Sequence, residues 1–210
     1  MRFFTVQVGF LRTNCYILYD ERTCEAVIID PGQEAEKIAK KIEENGLKPI
    51  KILLTHGHFD HILAVPELKE RYDIPVFCGE NEVELLGEPE MNHSFQMNRA
   101  LSLKPDRTLA DGEEFEALGR KFRVISTPGH TIGSICYYVP EQEVLFAGDT
   151  LFRETYGRTD FPTGDFKMLR ESIIGKLFLL PDATAVFPGH MEDTTIGHER
   201  RTNPIFAGWE

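Results

Sequence analysis

Short apolar runs, separated by more polar stretches, recur along much of the chain, and these runs predict strands. Most of the runs are rich in β-branched and aromatic residues and end at Gly, Pro, Asp or Asn. Nine strands are predicted, over residues 3–8, 15–19, 26–29, 50–54, 76–77, 122–125, 135–139, 144–146 and 185–187.

Three stretches between these strands have the spacing of amphipathic helices. Over residues 35–42 the apolar residues recur on one helix face, and Gly46 stands where a helix commonly ends. A second helix is predicted to begin after Asp165 as its N-cap and to carry apolar residues as far as Leu177. A third is predicted over about residues 66–72.

The mixture of strands and helices predicts a layered α/β protein in which two sheets pack face to face with helices outside. Residues 80–103 have no clear periodicity, and helix mixed with loop is predicted there. Since no internal repeat or Gly/Ser-rich linker divides the chain, a single domain is expected over residues 1–210.

Composition and charge exclude several classes of function. With 41% hydrophobic and 27% charged residues, the chain reads as an ordinary globular protein. Its net charge of −11 would repel a phosphate backbone, so nucleic acid is not an expected partner. No apolar run approaches the roughly 20 residues of a membrane span. The N-terminus alternates like a strand and lacks the apolar core of an export signal, so a cytoplasmic location is expected.

Five of the seven histidines directly follow predicted strands, and residues 55–61 (T-H-G-H-F-D-H) hold three of them. In an extended segment residues i and i+2 project the same way, so His56 and His58 can bind one ion together. Asp60 and His61 lie where the chain turns toward a helix. They would point elsewhere and could serve a neighbouring ion.

Three further candidates, His130, Asp149 and His190, each follow a strand and a tight turn. Because binding sites of α/β proteins gather at the C-terminal ends of strands, all seven ligand-type residues are expected in one cleft. Five imidazoles and two carboxylates are too many for one tetrahedral ion and suit two divalent ions bridged by a carboxylate and a hydroxide. Zn is favoured, with Fe or Mn as alternatives. His93 and His198 have no such context and are expected to be exposed or bonded to a neighbour.

These residues resemble the metallo-β-lactamase superfamily, whose T-H-x-H-x-D-H signature corresponds to residues 55–61. The superfamily's later positions are also matched, within T-P-G-H-T, G-D-T and P-G-H. The resemblance implies an αβ/βα four-layer sandwich, two central mixed sheets with helices outside, and metals at its rim. It implies two ligand sets with one bridge: His56, His58 and His130 for the first metal, Asp60, His61 and His190 for the second, and Asp149 between them.

Within the superfamily the chain is most similar to short single-domain relatives of glyoxalase II, the hydroxyacylglutathione hydrolase, notably over residues 157–161 and 199–204. This resemblance implies a metal-dependent hydrolase that cleaves a small acyl thioester by attack of a metal-bridging hydroxide. Asp60, besides ligating, would orient that hydroxide. The helical C-terminal domain by which glyoxalase II holds glutathione is expected to be absent, which puts recognition of glutathione in doubt.

Other activities within the superfamily are weighed against this one. Lactamases of the subclass with a cysteine ligand have Cys where Asp149 stands, so antibiotic hydrolysis is not expected. Residues 157–161 also resemble persulfide dioxygenases, which hold a single iron through two His and one Asp, and this activity is the alternative. A non-catalytic protein in which the ions only cross-link and stabilise the loops is the least favoured interpretation.

Four residues outside the ligand set are candidates for supporting roles. Asp30 could orient a ligating imidazole, although a turn aspartate is an equal alternative. Thr131 could brace the loop around His130. Tyr156 and Arg158 could contact substrate, with a surface salt bridge as the alternative for Arg158. The oligomeric state stays open.

Overall fold

Strands from the two halves of the chain form two six-stranded mixed sheets, as seen in a computed structural model that describes residues 1–206. The first sheet has, in spatial order, β1 (Arg2–Val8), β2 (Thr13–Tyr19), β3 (Glu25–Ile29), β4 (Lys48–Leu53), β5 (Val76–Gly79) and β6 (Arg107–Leu109). The second has β14 (Thr194–Thr195), β13 (Ala185–Pro188), β10 (Val144–Gly148), β9 (Ile135–Val139), β8 (Arg120–Ser126) and β7 (Glu114–Ala117). A separate ribbon pairs β11 (Leu151–Phe152) with β12 (Thr155–Tyr156).

The helices lie outside the sheets, and all but the last connect strands. They are α1 (Ala35–Glu44), α2 (Phe59–Ile62), α3 (Val65–Tyr72), α4 (Val83–Gly87), α5 (Phe166–Gly175) and α6 (Ile196–Thr202). Short 3₁₀ turns occupy Glu80–Glu82, Phe95–Met97, Pro140–Gln142, Leu177–Leu179 and Pro204–Phe206. Among residues 1–206, no helix has the length and apolar character to cross a membrane.

The two faces of the central strands belong to different parts of the core, which produces four layers. In β2, Ile17 packs in the cluster that includes Ile38 of α1, while its neighbour Leu18 packs in the cluster between the sheets. On the other side, Leu145 of β10 packs with Leu169 of α5. Because side chains alternate across a strand, each central strand contributes to two apolar layers. The predicted sandwich of two mixed sheets with helices outside is confirmed.

Contacts between the sheets hold the segment that follows β4. The buried Tyr137 of β9 donates its hydroxyl hydrogen to the carbonyl oxygen of Leu54 at 2.9 Å. The N–H of Ile135 donates to the carbonyl of Thr55, also at 2.9 Å. The histidine-rich residues 55–61 are therefore anchored to the second sheet as well as to the first.

Most predicted elements are confirmed, with differences at their ends. Gly46 has a φ of +62° directly after the C-cap of α1, and Asp165 caps α5 by accepting a hydrogen bond from Met168 N–H. The helix predicted to reach Leu177 ends instead at Gly175, where a 3₁₀ turn follows. Sequence patterning missed the short or polar strands and the last helix: β6, β7, β11, β12, β14 and α6.

Candidate metal centre

All seven predicted ligand residues lie together at one edge of the sandwich, just beyond the C-terminal ends of four strands. The 55–61 segment follows β4 of the first sheet. His130 follows β8, Asp149 follows β10 and His190 follows β13, all of the second sheet. The cleft is therefore built by both sheets, as expected from the positions of the residues along the chain.

Three imidazoles form what we call the first trio: His56, His58 and His130. One ring nitrogen from each lies within 4.8 Å of the others. Nδ1 of His58 is 2.9 Å from Nε2 of His130. All three side chains are buried.

Asp60, His61 and His190 form the second trio, with one ligand atom from each again within 4.8 Å of the others. Oδ2 of Asp60 lies 3.1 Å from Nε2 of His190 and 3.5 Å from Nε2 of His61. This carboxylate also accepts a hydrogen bond from the hydroxyl of Thr13 at 3.1 Å. The second trio thus contains a fixed negative charge, which the first trio lacks.

Asp149 lies between the two trios. Its Oδ1 is 3.3 Å from Nε2 of His61, and its Oδ2 is 3.5 Å from Nε2 of His190 and 3.7 Å from Nε2 of His130. Ligands of a tetrahedral ion at about 2.0–2.1 Å are separated by roughly 3.3 Å, close to these values. Gly189 allows this approach, because a Cβ there would lie 2.2 Å from Oδ1 of Asp149.

Hydrogen bonds to Nδ1 leave Nε2 of several imidazoles free to ligate. Oδ2 of Asp30 lies 3.0 Å from Nδ1 of His61 and accepts the hydroxyl hydrogen of Thr55 at 2.6 Å. Since that hydroxyl donates to Asp30, its oxygen is free to accept from Nδ1 of His56 at 3.1 Å. Asp30 therefore orients one imidazole directly and a second through Thr55, as such partners of ligating histidines commonly do.

Backbone carbonyls orient two further imidazoles. Nδ1 of His130 donates to the carbonyl oxygen of Arg158 at 2.8 Å, and Nδ1 of His190 donates to that of Leu11 at 3.1 Å. In both rings Nε2 is left facing the cleft. Sequence reasoning could not find these partners, because every residue carries a backbone carbonyl.

The two trios have opposite electrostatics. Burial lowers the pKa of His56, His58 and His130 below the usual value. Burial would also lower the pKa of His61, but the surrounding carboxylates, Asp60 first, raise it well above the usual value. Burial would lower the pKa of His190 too, but the hydrogen bond to Asp60 and the charges of Asp149 and Asp60 together raise it.

Several ligand atoms are buried without a hydrogen-bond partner among the described residues. They include Nε2 of His56, Nε2 of His61 and Oδ1 of Asp149. Buried polar atoms are rarely left unpaired, because losing water without a replacement partner is costly. Divalent cations would satisfy these atoms, and the imidazole and carboxylate donors suit such ions. The residues therefore fit a metal centre.

A cavity of about 800 Å³ opens over both trios, within the size range of small-molecule sites. Tyr156 and Arg158 line it, as proposed for substrate contacts. The guanidinium of Arg158 lies 3.8 Å from the ring centre of Phe161 and pairs with Asp160 at 2.6 Å. The predicted surface salt bridge of Arg158 is therefore present, and its place in the cavity lining leaves substrate contact as a prediction.

The expectation that His93 is exposed or bonded to a neighbour is wrong. The side chain is buried at the cavity wall, and neither ring nitrogen has a hydrogen-bond partner among the described residues. Its ring centre is 5.4 Å from that of His58 and 4.5 Å from that of Phe161. His198, by contrast, contacts Glu154 at 2.9 Å, as expected.

Sequence reasoning also missed Glu82, a buried carboxylate behind the first trio. Burial raises its pKa to about 7, although hydrogen bonds from its neighbours oppose this shift. One of these neighbours is Thr131, whose hydroxyl donates to Oε2 of Glu82 at 3.0 Å and which lies outside the cavity lining.

Comparison with known proteins gives consistent matches over nearly the whole chain. The model of the metallo-β-lactamase superfamily matches residues 8–190. Hydroxyacylglutathione hydrolase GloC of Haemophilus influenzae is 38% identical over 203 residues, 95% of each chain. The structure of BLEG-1, described as a B3 metallo-β-lactamase, is 39% identical with a TM-score of 0.93 and covers 99% of this chain and 100% of its own. TTHA1623 in a di-iron-bound form is 39% identical with a TM-score of 0.85, covering 97% of this chain and 100% of its own.

Proposed function

The chain belongs to the metallo-β-lactamase superfamily, and on this premise we propose that it is a metal-dependent hydrolase of small acyl thioesters. The observation that carries the proposal is the pair of ligand trios with the Asp149 carboxylate between them, at the floor of a cavity of small-molecule size. Two divalent ions held there would lower the pKa of a shared water from about 15.7 toward about 7 and so supply hydroxide near neutral pH.

The chain's own residues orient the reacting groups. Asp60 lines the cavity, and the hydroxyl of Thr13 fixes its carboxylate, so Asp60 can accept a hydrogen bond from water or hydroxide and orient it at a defined position. A thiolate leaves readily because thiols have a pKa near 8.5, so this reaction needs little general-acid catalysis. The cavity lining agrees with this, because two of its carboxylates, Asp60 and Asp149, belong to the candidate metal centre, and the third, Glu192, lies at the rim.

The lining of the cavity supports an organic substrate with both apolar and polar parts. Leu11, Phe152 and Phe161 contribute apolar surface, whereas Arg12 and Arg158 contribute positive charge. The similarity to hydroxyacylglutathione hydrolase GloC supports a thioester, and glutathione is the first thiol carrier to test. Zn remains the metal we favour. The di-iron form of TTHA1623 makes Fe the strongest alternative.

The remaining expectations belong to the same proposal. We keep a single domain over residues 1–210, a cytoplasmic location, and a small molecule rather than nucleic acid or membrane as the partner. The cavity size supports the last of these, since it suits a ligand of a few tens of atoms.

A persulfide dioxygenase is the second candidate function, and the similarity of residues 157–161 to that family favours it. A single iron on two His and one Asp would use only part of the ligand set. The ion would then leave unused other buried Nε2 atoms that have no hydrogen-bond partner within residues 1–206. The two-trio geometry therefore favours the hydrolase.

Elemental analysis combined with a substrate panel tests the proposal. The protein is purified with Zn, Fe or Mn in the medium and assayed with S-lactoylglutathione, simple acyl thioesters, a β-lactam, and glutathione persulfide under oxygen. We expect about two metal ions per chain and thioester cleavage above the other reactions. One iron per chain with oxygen uptake would establish the dioxygenase instead. β-Lactam turnover without thioester cleavage, or no turnover in any assay, would overturn the proposed substrate class.

A further inference from the structure

Glu82 is a fully buried carboxylate whose hydrogen bonds go not to the candidate ligand side chains but to the loops that carry the first trio. It belongs to the 3₁₀ turn Glu80–Glu82, just before α4. Glu80 and Glu84, two positions away on either side, are exposed. The burial of Glu82 is therefore specific to its position in this turn.

One carboxylate oxygen of Glu82 binds the first of these loops. The N–H of Gly57 donates to Oε1 at 2.7 Å. Gly57 stands between His56 and His58, so this bond fixes the backbone from which both imidazoles project.

The other oxygen binds the loop that carries His130. Oε2 accepts the hydroxyl hydrogen of Thr131 at 3.0 Å and the N–H of Gly133 at 2.9 Å. The hydroxyl of Thr131 also lies 2.6 Å from that of Ser134, which closes the turn behind His130. One side chain thus connects two loops that are 72 residues apart at His58 and His130.

Close packing of the backbone supports the same arrangement. A Cβ on Gly133 would lie 2.2 Å from the backbone nitrogen of Glu82 and 2.4 Å from the carbonyl carbon of Asn81. Real Cβ atoms do not approach backbone so closely, so only glycine allows the His130 loop to lie against the Glu82 turn.

We propose that Glu82 is a positioning residue that sets the spacing of the first trio by joining its two ligand loops, and so determines the metal affinity of that trio. This inference rests on the proposed metal ligation by His56, His58 and His130. The ionised carboxylate suits the role because it only accepts hydrogen bonds, and all three partners can donate to it. An amide at this place would aim an N–H₂ group at one of these donors.

Glu199 offers a matched control. It is equally buried and accepts three hydrogen bonds, from Thr194 Oγ1 at 2.6 Å, Glu154 N–H at 2.9 Å and Asn203 Nδ2 at 2.7 Å. None of these partners is a ligand residue. Glu199→Gln therefore reproduces the loss of a buried carboxylate without touching the loops of the first trio.

The experiment titrates metal-free protein with Zn²⁺ in chelator-buffered solution and follows the imidazole ¹⁵N resonances, which report separately on the two trios. For Glu82→Gln we expect Zn²⁺ affinity at the first trio to fall roughly 10–100-fold, the usual cost of losing support for metal ligands. Affinity at the second trio should change far less, and Glu199→Gln should leave both affinities near wild type.

The outcomes separate the inference from the proposed function. If wild-type protein binds no Zn²⁺ at either trio, the proposed metal centre itself fails. If wild type binds but Glu82→Gln binds equally well at the first trio, only the role of Glu82 is overturned. Equal losses in Glu82→Gln and Glu199→Gln would also overturn it, because a general loss of buried charge would then explain both.

A milder pair of variants decides the matter if Glu82→Gln does not fold. Thr131→Val removes one of the three donors, and Thr131→Ser keeps the hydroxyl. We expect a several-fold loss of Zn²⁺ affinity at the first trio for Val and recovery for Ser. Unchanged affinity in Thr131→Val would contradict the inference.

Discussion

The two trios lie in one cleft and both draw on both sheets, yet they differ in charge. The first has three buried imidazoles whose pKa values are lowered, chiefly by burial. The second contains Asp60, and its two imidazoles have raised pKa values because carboxylates surround them. Without metal, the second trio can balance its carboxylate charge by holding protons. The first trio consists of neutral imidazoles and has no charge to balance.

This difference implies different demands on the protein. At neutral pH the first trio presents neutral imidazoles, so its affinity depends on how accurately the loops are held. The second trio has strong mutual attractions, such as the 3.1 Å contact of Asp60 with His190, and must release protons before it binds a cation. Metal affinity at the first trio therefore depends on how well the loops are pre-organised, and metal affinity at the second depends on competition with protons.

Removing Asp149 should have the largest effect, because this carboxylate serves both trios. For Asp149→Ala we expect loss of both metals and a fall in turnover greater than the roughly 10–100-fold that losing a contact to a ligand costs. Metal content and kcat are measured together. Asp182→Ala, which breaks a surface pair with Arg200, is the control and should keep both. Full turnover in Asp149→Ala would contradict the bridging role.

Two smaller changes should affect the trios unequally. In Asp30→Asn one amide oxygen replaces the two carboxylate oxygens that accept from Nδ1 of His61 and from the N–H and hydroxyl of Thr55, so affinity should fall roughly 10–100-fold at the second trio, through His61, and less at the first, through Thr55. Thr55→Val removes only the hydroxyl next to His56 and should weaken the first trio more than the second. Site-resolved Zn²⁺ titration measures both. The same loss at both sites in each variant would refute separate orientation of the two rings.

The clustering of the seven candidate ligands could be predicted from the sequence because His and Asp directly after strands are informative, and the 55–61 segment concentrates them. The supporting partners could not. Glu82 stands in a run of alternating glutamates, of which the structure buries only this one. The backbone carbonyls of Leu11 and Arg158 cannot be identified from the sequence, because every residue has one.

The fold, too, could be predicted from the sequence only in part. The long strands follow from their runs of apolar, β-branched residues, and the amphipathic α1 follows from its 3.6-residue repeat. The strands β11 and β14 have two residues each, too few for any repeat. Their positions depend on pairing with distant strands, as β14 pairs with β13, and local patterning does not encode such pairing.

Lowering the pH of a single sample should release metal from the two trios at different pH values. The raised pKa values of His61 and His190 mean that protons compete for the second trio below those values, by about tenfold in affinity per pH unit for each proton displaced. The lowered pKa values of the first trio keep its imidazoles neutral over the same range, and protonation of Glu82, whose pKa is raised to about 7, weakens hydrogen-bond support for this trio without protonating a ligand. As the pH falls from about 8 to about 6, metal should therefore leave the second trio first. Dialysis with elemental analysis measures this, and the reverse order would overturn the electrostatic distinction.

Replacing His93 should have the smallest effect. This effect should be confined to the side of the cavity where the first trio lies. Its ring packs against His58 and Phe161 without hydrogen-bonding to either, so it supports no ligand. For His93→Ala we expect both metals to be retained. KM should rise roughly two- to tenfold, the equivalent of about 0.5–1.5 kcal/mol for a lost contact in the cavity wall. His198→Ala, whose ring contacts Glu154, is the matched control and should leave KM unchanged. If His93→Ala instead loses metal from the first trio, His93 supports His58 as well, and Glu82 would not be the main determinant of that trio's geometry.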